Sequence, residues 1–499
     1  MNHALLFSVF IVASCGLAYE LIAGALASYL LGDSVTQFST VIGSYLFAMG
    51  IGSWLSRYVE RQLVARFIQV ELLVGVVGGL SATGLFFIFA WSSAPFKLAL
   101  YLSVFAIGVL VGLEIPLIMR ILKRDLVFKD LVSQVLTFDY LGALAVSILF
   151  PVLLVPHLGL MRSGLLFGLL NVAVALWACW LFREQLRNFR GLLGQGATAM
   201  LGLLAAFIAA GELTSMAESH LYADDIVHAE NTPYQRIVVT RWKDDLRLHL
   251  NNNLQFSSRD EYRYHEALVH PALATLPAAR RVLVLGGGDG LAVREILKYP
   301  QVESVTLVDL DPAMTRLFAS APPLRRLNDD ALQSPKVRVV NADALQWLEA
   351  NDELFDFVVV DFPDPSNFAI GKLYSSAFYR LLEKHLSGNA LAVIQSTSPL
   401  YARQSFWCIV TTLESVGLVA TPYHALVPSF GEWGFVVAGR RGYRPPQSYA
   451  VNTRFLTPAM TPALFVFPKD MARIDAEVNR LNSQVLVRYF EQEWRQVIR

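Results

Sequence analysis

The sequence predicts two parts of different fold class, an N-terminal all-α bundle of membrane-spanning helices and a C-terminal α/β domain built on a parallel sheet. Composition is the first observation behind this prediction, since the 499 residues are 54% hydrophobic and only 16% charged, outside the usual range of soluble proteins. The second is the placement of the apolar residues. Long apolar runs stop near Glu212, and shorter segments of strand-like and helix-like pattern follow.

Seven apolar runs occupy the N-terminal part, and most approach the ~20 residues that a helix needs to cross a bilayer. They are Leu5 to Leu31, Val41 to Leu55, Phe67 to Trp91, Leu98 to Leu122, Leu131 to Val155, Gly164 to Leu181 and Leu192 to Ala210. We therefore predict a polytopic bundle of about seven helices in residues 1–215, with the lipid bilayer as a partner and a multi-pass location in the cell (inner) membrane. A removable signal peptide is not expected, because six further runs follow the first.

Basic residues concentrate in the loops after the second, fourth and sixth runs, for example at Arg61, Arg120 and Arg187. The positive-inside rule places such loops in the cytoplasm, so a seventh crossing would leave the C-terminal domain outside. A re-entrant or miscounted last span would instead return it to the cytoplasm. The sequence leaves both arrangements open.

Beyond a predicted polar linker at 216–230, the pattern changes twice. The segments "QRIVVTRW" and "LRLHLNN" alternate like paired strands, so we predict a small β-hairpin subdomain at 231–270. Between 271 and 445, apolar strands that end in small or acidic residues alternate with helical stretches, which is typical of a parallel sheet with helices on both faces. The last two strands, around "TPYHALVPSF" and "WGFVVAG", are close together in the sequence, which predicts an antiparallel edge. A tail with a helix is predicted for 446–499.

Charge and cysteine content exclude some classes of function. The formal net charge is zero and no block of like charges occurs, so a nucleic-acid partner is not expected. The three cysteines, Cys15, Cys179 and Cys408, are far apart, which argues against a disulfide framework or a zinc site.

A glycine-rich turn carries the first chemical signal. "RVLVLGGGDG" reads as a buried strand followed by Gly286 to Gly290, where glycine lets a backbone approach a ligand closely. About twenty positions later Asp309 ends the next strand, where a carboxylate can accept hydrogen bonds from a ribose diol. Asp343, in "NADA" after the third strand, is placed to accept a bond from an adenine amine. Together these residues predict a Rossmann-like fold with an adenosine ligand; a dinucleotide is the alternative, although the spacing departs from G-x-G-x-x-G.

The fourth strand ends in "DFPDP", which places Asp361 and Asp364 three residues apart beside the predicted nucleoside. An alkylamine is mostly protonated at neutral pH and must lose a proton before it can attack. Asp361 is the candidate catalytic residue, either as the base or by orienting and electrostatically steering the amine.

The C-terminal part resembles the spermidine synthase (polyamine aminopropyltransferase) family over about two hundred residues. The matching segments are Tyr234-Gln235, "LNNNLQFSSRDEYRYHEALVHP" from Leu250 to Pro271, the GGGDG turn, Asp309, "NADA", "DFPDP" and "LYSSAFY" from Leu373. The resemblance implies the S-adenosylmethionine-dependent-transferase fold and transfer of an aminopropyl group from decarboxylated S-adenosylmethionine, as co-substrate, to putrescine or a related diamine. It implies neither a metal nor a further cofactor.

The resemblance also implies roles for individual residues. Contacts to the nucleoside would come from Gln235, Gln255, Asp309, Asp343 and Ala344. The amine channel would be lined by Tyr264, His265, Asp289, Asp361 and Asp364. An acidic pocket of this kind favours cationic amines and rejects the carboxylate of ordinary S-adenosylmethionine.

Four departures concern mainly the acceptor. Asp309 stands where glutamate is usual, Asn251-Asn252 replace aspartate-glycine, Phe430 replaces a tyrosine and Phe368 replaces a proline. Two alternatives therefore stay open, an amine methyltransferase on the same fold and a polyamine transporter or sensor whose synthase-like domain only binds. Four acids within or beside the apolar runs fit the second alternative, or else only anchor the enzyme: Glu20, Glu71, Glu114 and Asp139. A homo-oligomer is possible.

Overall fold

The chain forms two compact units, Met1–Gln235 and Arg236–Arg499. The computed structural model describes residues 2–31, 35–91, 93–123, 128–222 and 224–497. Each unit has its own hydrophobic core, and each is described by itself below.

The first unit is helical. Its helices are α1 Asn2–Leu31, α2 Val35–Leu55, α3 Leu63–Trp91, α4 Ser93–Leu122, α5 Phe128–Leu149, α6 Val155–Leu181 and α7 Phe189–Leu221, and strand β1 Asp225–Asn231 follows. Small residues let α3 and α6 pack closely, because a Cβ on Gly168 would lie 2.6 Å from the carbonyl oxygen of Gly75. Such contacts between small residues are typical of helix pairs in membranes.

The number of spans differs from the prediction. Six helical runs in the described residues are long and apolar enough to cross a membrane, rather than seven. The predicted fifth and sixth spans lie in one run, Lys129–Leu181. A π-helical turn, Phe150–Leu154, links α5 to α6, and Gly159 has a non-helical φ of 72°. Pro151 and Pro156 lack the N–H groups of regular helix, which accounts for the irregular geometry at this position.

The predicted linker at 216–230 also differs. Helix α7 continues to Leu221, and β1 begins at Asp225, so most of this segment has regular structure. Its polar side chains suggested a loop, but polarity alone does not distinguish a loop from the exposed end of a helix or an exposed strand.

The second unit begins with a three-stranded antiparallel meander and continues as an α/β fold. The meander consists of β2 Arg236–Trp242, β3 Asp245–Leu250 and β4 Asn253–Ser257. Seven further strands form one sheet: β5 Arg281–Gly286, β6 Ser304–Asp309, β7 Val337–Asn341, β8 Phe355–Asp361, β9 Leu386–Gln395, β10 Val419–Val427 and β11 Gly431–Gly439. Their order is β10-β11-β9-β8-β5-β6-β7. Strands β5 to β9 run parallel, and β10 and β11 form the antiparallel edge that the sequence predicted.

Helices cover both faces of this sheet. They are α8 Glu261–Leu273, α9 Leu291–Leu297, α10 Pro312–Ser320, α11 Pro322–Leu327, α12 Ala344–Ala350, α13 Phe368–Gly371, α14 Ser376–Lys384, α15 Arg403–Glu414 and α16 Val485–Val497. Strand β5 shows why both faces need cover, since Val282 and Val284 lie in one core and Leu283 and Leu285 in the other. A strand buried on both faces is apolar throughout, as in other parallel sheets.

The C-terminal tail has little regular structure, yet buried polar groups fix it to the α/β core. The carboxylate of Glu266 on α8 accepts three backbone hydrogen bonds, from Arg454 (2.6 Å), Phe455 (2.9 Å) and Leu456 (3.0 Å). Further along, the buried Asn479 donates to the carbonyl groups of Gly371 (3.0 Å) and Tyr374 (3.1 Å).

We expect Glu266→Ala to loosen this tail, because it leaves three backbone N–H groups without their acceptor. The cost should be about 2 kcal/mol. Hydrogen exchange measured by mass spectrometry should show faster exchange in peptides that contain residues 454–456. Glu303→Ala is the matched control, because the Glu303 carboxylate is exposed and pairs only with exposed Arg280. Equal exchange in both variants would contradict the anchoring role.

Candidate functional site

The carboxyl ends of the parallel strands bring the candidate residues to one edge of the sheet. Gly286, at the end of β5, is paired with Asp361 at the end of β8. On the other side, β6 ends at Asp309, which is paired with Asn341 of β7. Ligands of doubly wound sheets bind at this edge, so the fold itself explains why these acids meet.

The glycine-rich turn lies directly against Asp361. Gly286 and Gly287 have positive φ values of 80° and 66°, which glycine adopts without strain. A Cβ on Gly286 would lie 2.3 Å from the carbonyl oxygen of Asp361, and one on Gly287 would lie 3.1 Å from its Oδ2. Both the conformation and the close approach therefore require glycine.

Asp309 is held by the same turn. Its carboxylate accepts hydrogen bonds from the backbone N–H of Gly288 (3.0 Å) and of Asp311 (2.9 Å). Burial nevertheless raises the pKa of Asp309 to about 6. A carboxylate has about four acceptor positions, so two are left for the hydroxyl groups of a ligand.

Asp289 and Asp343 also form hydrogen bonds that stabilise the local structure. Asp289 accepts a hydrogen bond from the N–H of Leu291 (2.9 Å) at the start of α9, and burial raises its pKa. Asp343 caps α12, where Ala344 is the first residue, and it also binds the Nζ of Lys372 at 2.6 Å. Although burial acts against it, the Lys372 hydrogen bond holds the pKa of Asp343 below its usual value.

Asp361 faces an aromatic group. The hydroxyl of Tyr264 donates to Asp361 Oδ1 at 2.6 Å, and the Tyr264 ring lies against Phe430, Trp433 and Phe435, with centroids 5.3–6.5 Å apart. Burial raises the pKa of Asp361 to about 6. The result is a carboxylate hydrogen-bonded to one member of an aromatic cluster, and both the carboxylate and the aromatic rings attract cations.

Asp364 lies three residues after Asp361, on the loop that follows β8. Burial raises its pKa to about 7, while the hydrogen bond from Gln395 (3.5 Å) and the nearby hydroxyl of Thr397 favour the ionised form. The buried Gln395 side chain donates to the carbonyl oxygen of Phe362 (2.6 Å) and to the hydroxyl of Tyr374 (2.8 Å). Gln395 thus fixes the "DFPDP" loop to β9.

His265 belongs to a buried ionic network beneath the acids. Its Nδ1 lies 2.9 Å from Glu261 Oε2, and Arg294 binds both oxygens of Glu261 at 2.9 Å. Burial lowers the pKa of His265, but the hydrogen bond and charge of Glu261, with further contributions from Asp289 and Asp361, raise it overall. The raised pKa favours the protonated form of His265, whose charge is opposite to that of the neighbouring acids.

The two predicted glutamines, Gln235 and Gln255, do not lie at the ends of the parallel strands as the acids do. Gln255 is on β4, where its side-chain amide donates to the carbonyl groups of Asn253 (3.2 Å) and Leu254 (3.4 Å). Gln235 is the last residue of the first unit and directly precedes β2. Their predicted contacts to a nucleoside remain predictions.

Sequence reasoning missed two residues of this site. Gln395 ends a strand whose apolar pattern gave no hint of a buried amide hub. Glu261 precedes His265 by four residues, a spacing that places both on one helix face, so this pair had a detectable signal. No group of three or more metal-ligating side chains occurs in the part of the chain that the structure describes.

Comparison with known proteins identifies the family. Residues 261–444 match the family model described as "Spermine/spermidine synthase domain". Polyamine aminopropyltransferase 2 of Ralstonia nicotianae is 62% identical over 100% of this chain and 99% of its own length. The polyamine aminopropyltransferase of Leptospira interrogans is 52% identical over 100% of both chains.

A solved spermidine synthase in complex with the transition state analogue AdoDATO is 20% identical, with a TM-score of 0.47, over 50% of this chain and 88% of that one.

The full-length relatives cover the helical unit as well as the α/β unit, and their names remove the methyltransferase and binding-only alternatives. Together with the acid-lined edge of the sheet, these matches show that the chain belongs to the polyamine aminopropyltransferase family and is an aminopropyltransferase.

Proposed function

We propose that this enzyme transfers the aminopropyl group of decarboxylated S-adenosylmethionine to putrescine or a related diamine, giving spermidine and methylthioadenosine without a metal or further cofactor. The observation that carries the proposal is the position of Asp361. Its carboxylate lies between the glycine-rich turn of β5 and the hydroxyl of Tyr264. A sulfonium donor on the turn and an amine beside the aromatic rings would meet at this carboxylate.

The donor side has the chemistry that a nucleoside needs. Asp309 keeps two acceptor positions for a ribose diol. The Asp343 Oδ2 that binds Lys372 can accept one more hydrogen bond, from an adenine amine, and Gln235 and Gln255 are proposed to bind the methylthioadenosine part. Asp289 is buried beside the turn, where it would bind the primary ammonium of the donor.

The acceptor side is acidic and aromatic. Asp361 and Asp364 are three residues apart on a loop that Pro363 and Pro365 stiffen. Tyr264 and His265 complete the proposed channel, and Phe430 supplies an apolar wall where a tyrosine would supply a hydroxyl. A diamine fits such a site, because its two ammonium groups can pair with the acids and its methylene chain can pack against the aromatic rings.

The chemical step is a substitution at carbon. The lone pair of the acceptor nitrogen forms a bond to the aminopropyl carbon, the carbon–sulfur bond breaks, and the sulfonium takes that electron pair to become a thioether. The acceptor must first lose a proton, because an alkylamine has a pKa of ~10. The raised pKa of Asp361 makes its carboxylate a better base than an exposed aspartate, although steering of the cation is its larger contribution.

The same acids select the donor. Ordinary S-adenosylmethionine carries an additional carboxylate, which would meet Asp289 and Asp361. The guanidinium of Arg294 is already bound to both oxygens of Glu261, so it does not neutralise a substrate carboxylate. Repulsion of this kind discriminates between two donors of similar shape.

We further propose that the helical unit spans the cell membrane and holds the enzyme there. The support is the length and apolar composition of the six helical runs and the outward-facing apolar side chains, among them Phe47, Leu102 and Ile208, which are 60–73% exposed. Lipid would cover this surface.

Asp361→Asn should lower kcat/KM for the amine by about 100-fold or more, because the neutral amide no longer steers the ammonium group. The assay uses the full-length protein in detergent with decarboxylated S-adenosylmethionine and, in turn, putrescine, cadaverine, agmatine and spermidine, and it measures methylthioadenosine release. Asp352→Asn, which changes an exposed aspartate, should retain activity. A methylated product, or no turnover with any of these amines, would contradict the proposed reaction.

The pH profile should show the raised pKa values of the acids. As the pH falls through about 7 and then about 6, Asp364 and Asp361 become protonated and lose the charge that attracts the amine, so kcat/KM decreases. Tyr264→Phe removes a hydrogen bond that favours ionised Asp361, so its acidic limb should move to higher pH. In the control variant Tyr443→Phe, a distant hydroxyl is lost and the limb should stay in place. Movement to lower pH in Tyr264→Phe would refute this role.

Membrane attachment predicts a fractionation result. After cell lysis, the protein should stay in the membrane pellet through washes with concentrated salt and alkaline carbonate, and detergent should release it, because apolar helices are held by lipid rather than by charge. Release by salt alone would show that the helical unit does not span the bilayer.

A further inference from the structure

A polar centre lies inside the helical unit. Helices α1, α2, α3, α4 and α6 each contribute a polar side chain to it, and all of these side chains are at most 2% exposed: Cys15, Tyr19, Tyr45, Glu71, Glu114 and Asn171. Buried ionisable groups in an apolar helical bundle are costly, and they usually mark a functional site.

Two glutamates of this centre lie at the same level of neighbouring helices. Glu71 is 20 residues before Trp91, the end of α3, and Glu114 is 21 residues after Ser93, the start of α4. Helices α3 and α4 pack against each other, and at ~1.5 Å per residue both glutamates are about 30 Å from this shared end. The two carboxylates interact electrostatically.

Only some of the carboxylate oxygens of Glu71 and Glu114 have hydrogen-bond partners among the described residues. Glu71 Oε2 accepts a hydrogen bond from the amide of Asn171 at 2.7 Å, and Asn171 Oδ1 accepts one from Tyr19 at 3.2 Å. The Tyr45 hydroxyl donates to the carbonyl of Gly16 at 2.8 Å. Within the described ranges, Glu71 Oε1 and Glu114 Oε1 are buried and have no hydrogen-bond partner. Each of these two oxygens can therefore take a donor that the protein does not supply.

The described ionisable groups that interact with the pair are all acids. They are Cys15 and Tyr19 of α1, Tyr45 of α2 and Asp139 of α5. Two full negative charges on neighbouring helices of an apolar interior would repel each other. A proton on one of the two carboxyl groups removes one charge and turns that group into a hydrogen-bond donor.

We propose that Glu71 and Glu114 form a proton-binding site in the helical unit, in which one of the two carboxyl groups carries a proton. Two half-buried acids lie near this site, since Asp139 interacts electrostatically with Glu114, and Glu20 with Tyr45. The proposal does not depend on the reaction of the α/β unit.

Infrared difference spectroscopy tests the site on the full-length protein in lipid nanodiscs at neutral pH. A protonated carboxylic acid has a C=O stretching band that shifts in D₂O, and we expect such a band in the unaltered protein. Glu71→Gln and Glu114→Gln should each remove or displace it, because each removes one of the two carboxyl groups that can carry the proton. Glu184→Gln, at an exposed site after α6, should leave it unchanged. A spectrum that neither Glu71→Gln nor Glu114→Gln alters would overturn the proposal.

A second measurement needs no variant. A hydrophobic carbodiimide reacts with protonated carboxyl groups in apolar surroundings: the carboxyl oxygen bonds to the central carbon, the proton moves to a nitrogen, and the adduct rearranges to a stable acylurea. Peptide mass spectrometry should locate the adduct on Glu71 or Glu114, and the labelling should slow at alkaline pH as the proton leaves. Labelling confined to exposed acids such as Glu184 would refute the site.

Discussion

Gly286 and Asp361 meet across the parallel strands β5 and β8, and the rest of the α/β unit depends on how closely these strand ends approach. A side chain at Gly286 would overlap the Asp361 backbone, so the contact requires glycine. Once this pairing is fixed, the alternation of β5 places Val284 in one core and Leu285 in the other. The glycine-rich turn must then emerge beside the acids. The register of β5 against β8 therefore determines both the packing of the two cores and the position of the acids.

The site concentrates negative charge in a poorly solvated place, and this has an electrostatic cost. Burial raises the pKa of Asp309, Asp361 and Asp364 to between about 6 and about 7. Their ionised forms are therefore less stable in the folded protein than in water. A bound cation would compensate for this lost solvation, and the proposed affinity for amines rests on the same burial. The Glu261–His265–Arg294 network is buried next to these acids, and the charge of His265 acts to lower the pKa of Asp289 and Asp361.

Buried polar groups also organise segments with little regular structure. Glu266 binds three consecutive backbone N–H groups of the tail, and Asn479 binds two carbonyl groups near α13. In the helical unit, Asn171 instead bridges Tyr19 and Glu71, leaving one carboxylate oxygen unpartnered. Glu266 and Asn479 use their hydrogen-bonding groups to hold the fold, whereas Glu71 keeps an oxygen that can bind a proton.

The sequence by itself determined the α/β architecture with its antiparallel edge, the positions of Asp309 and Asp361 at strand ends, and the family, because strand periodicity, glycine turns and motif spacing are local properties. Tertiary structure decided what local patterns do not contain. Tyr264 and Asp361 are 97 residues apart and meet only through the packing of α8, and Gln395 becomes a hub because β9 lies beside β8. The joining of α5 to α6 through the π-helical turn Phe150–Leu154 likewise followed from backbone geometry that apolar composition does not specify.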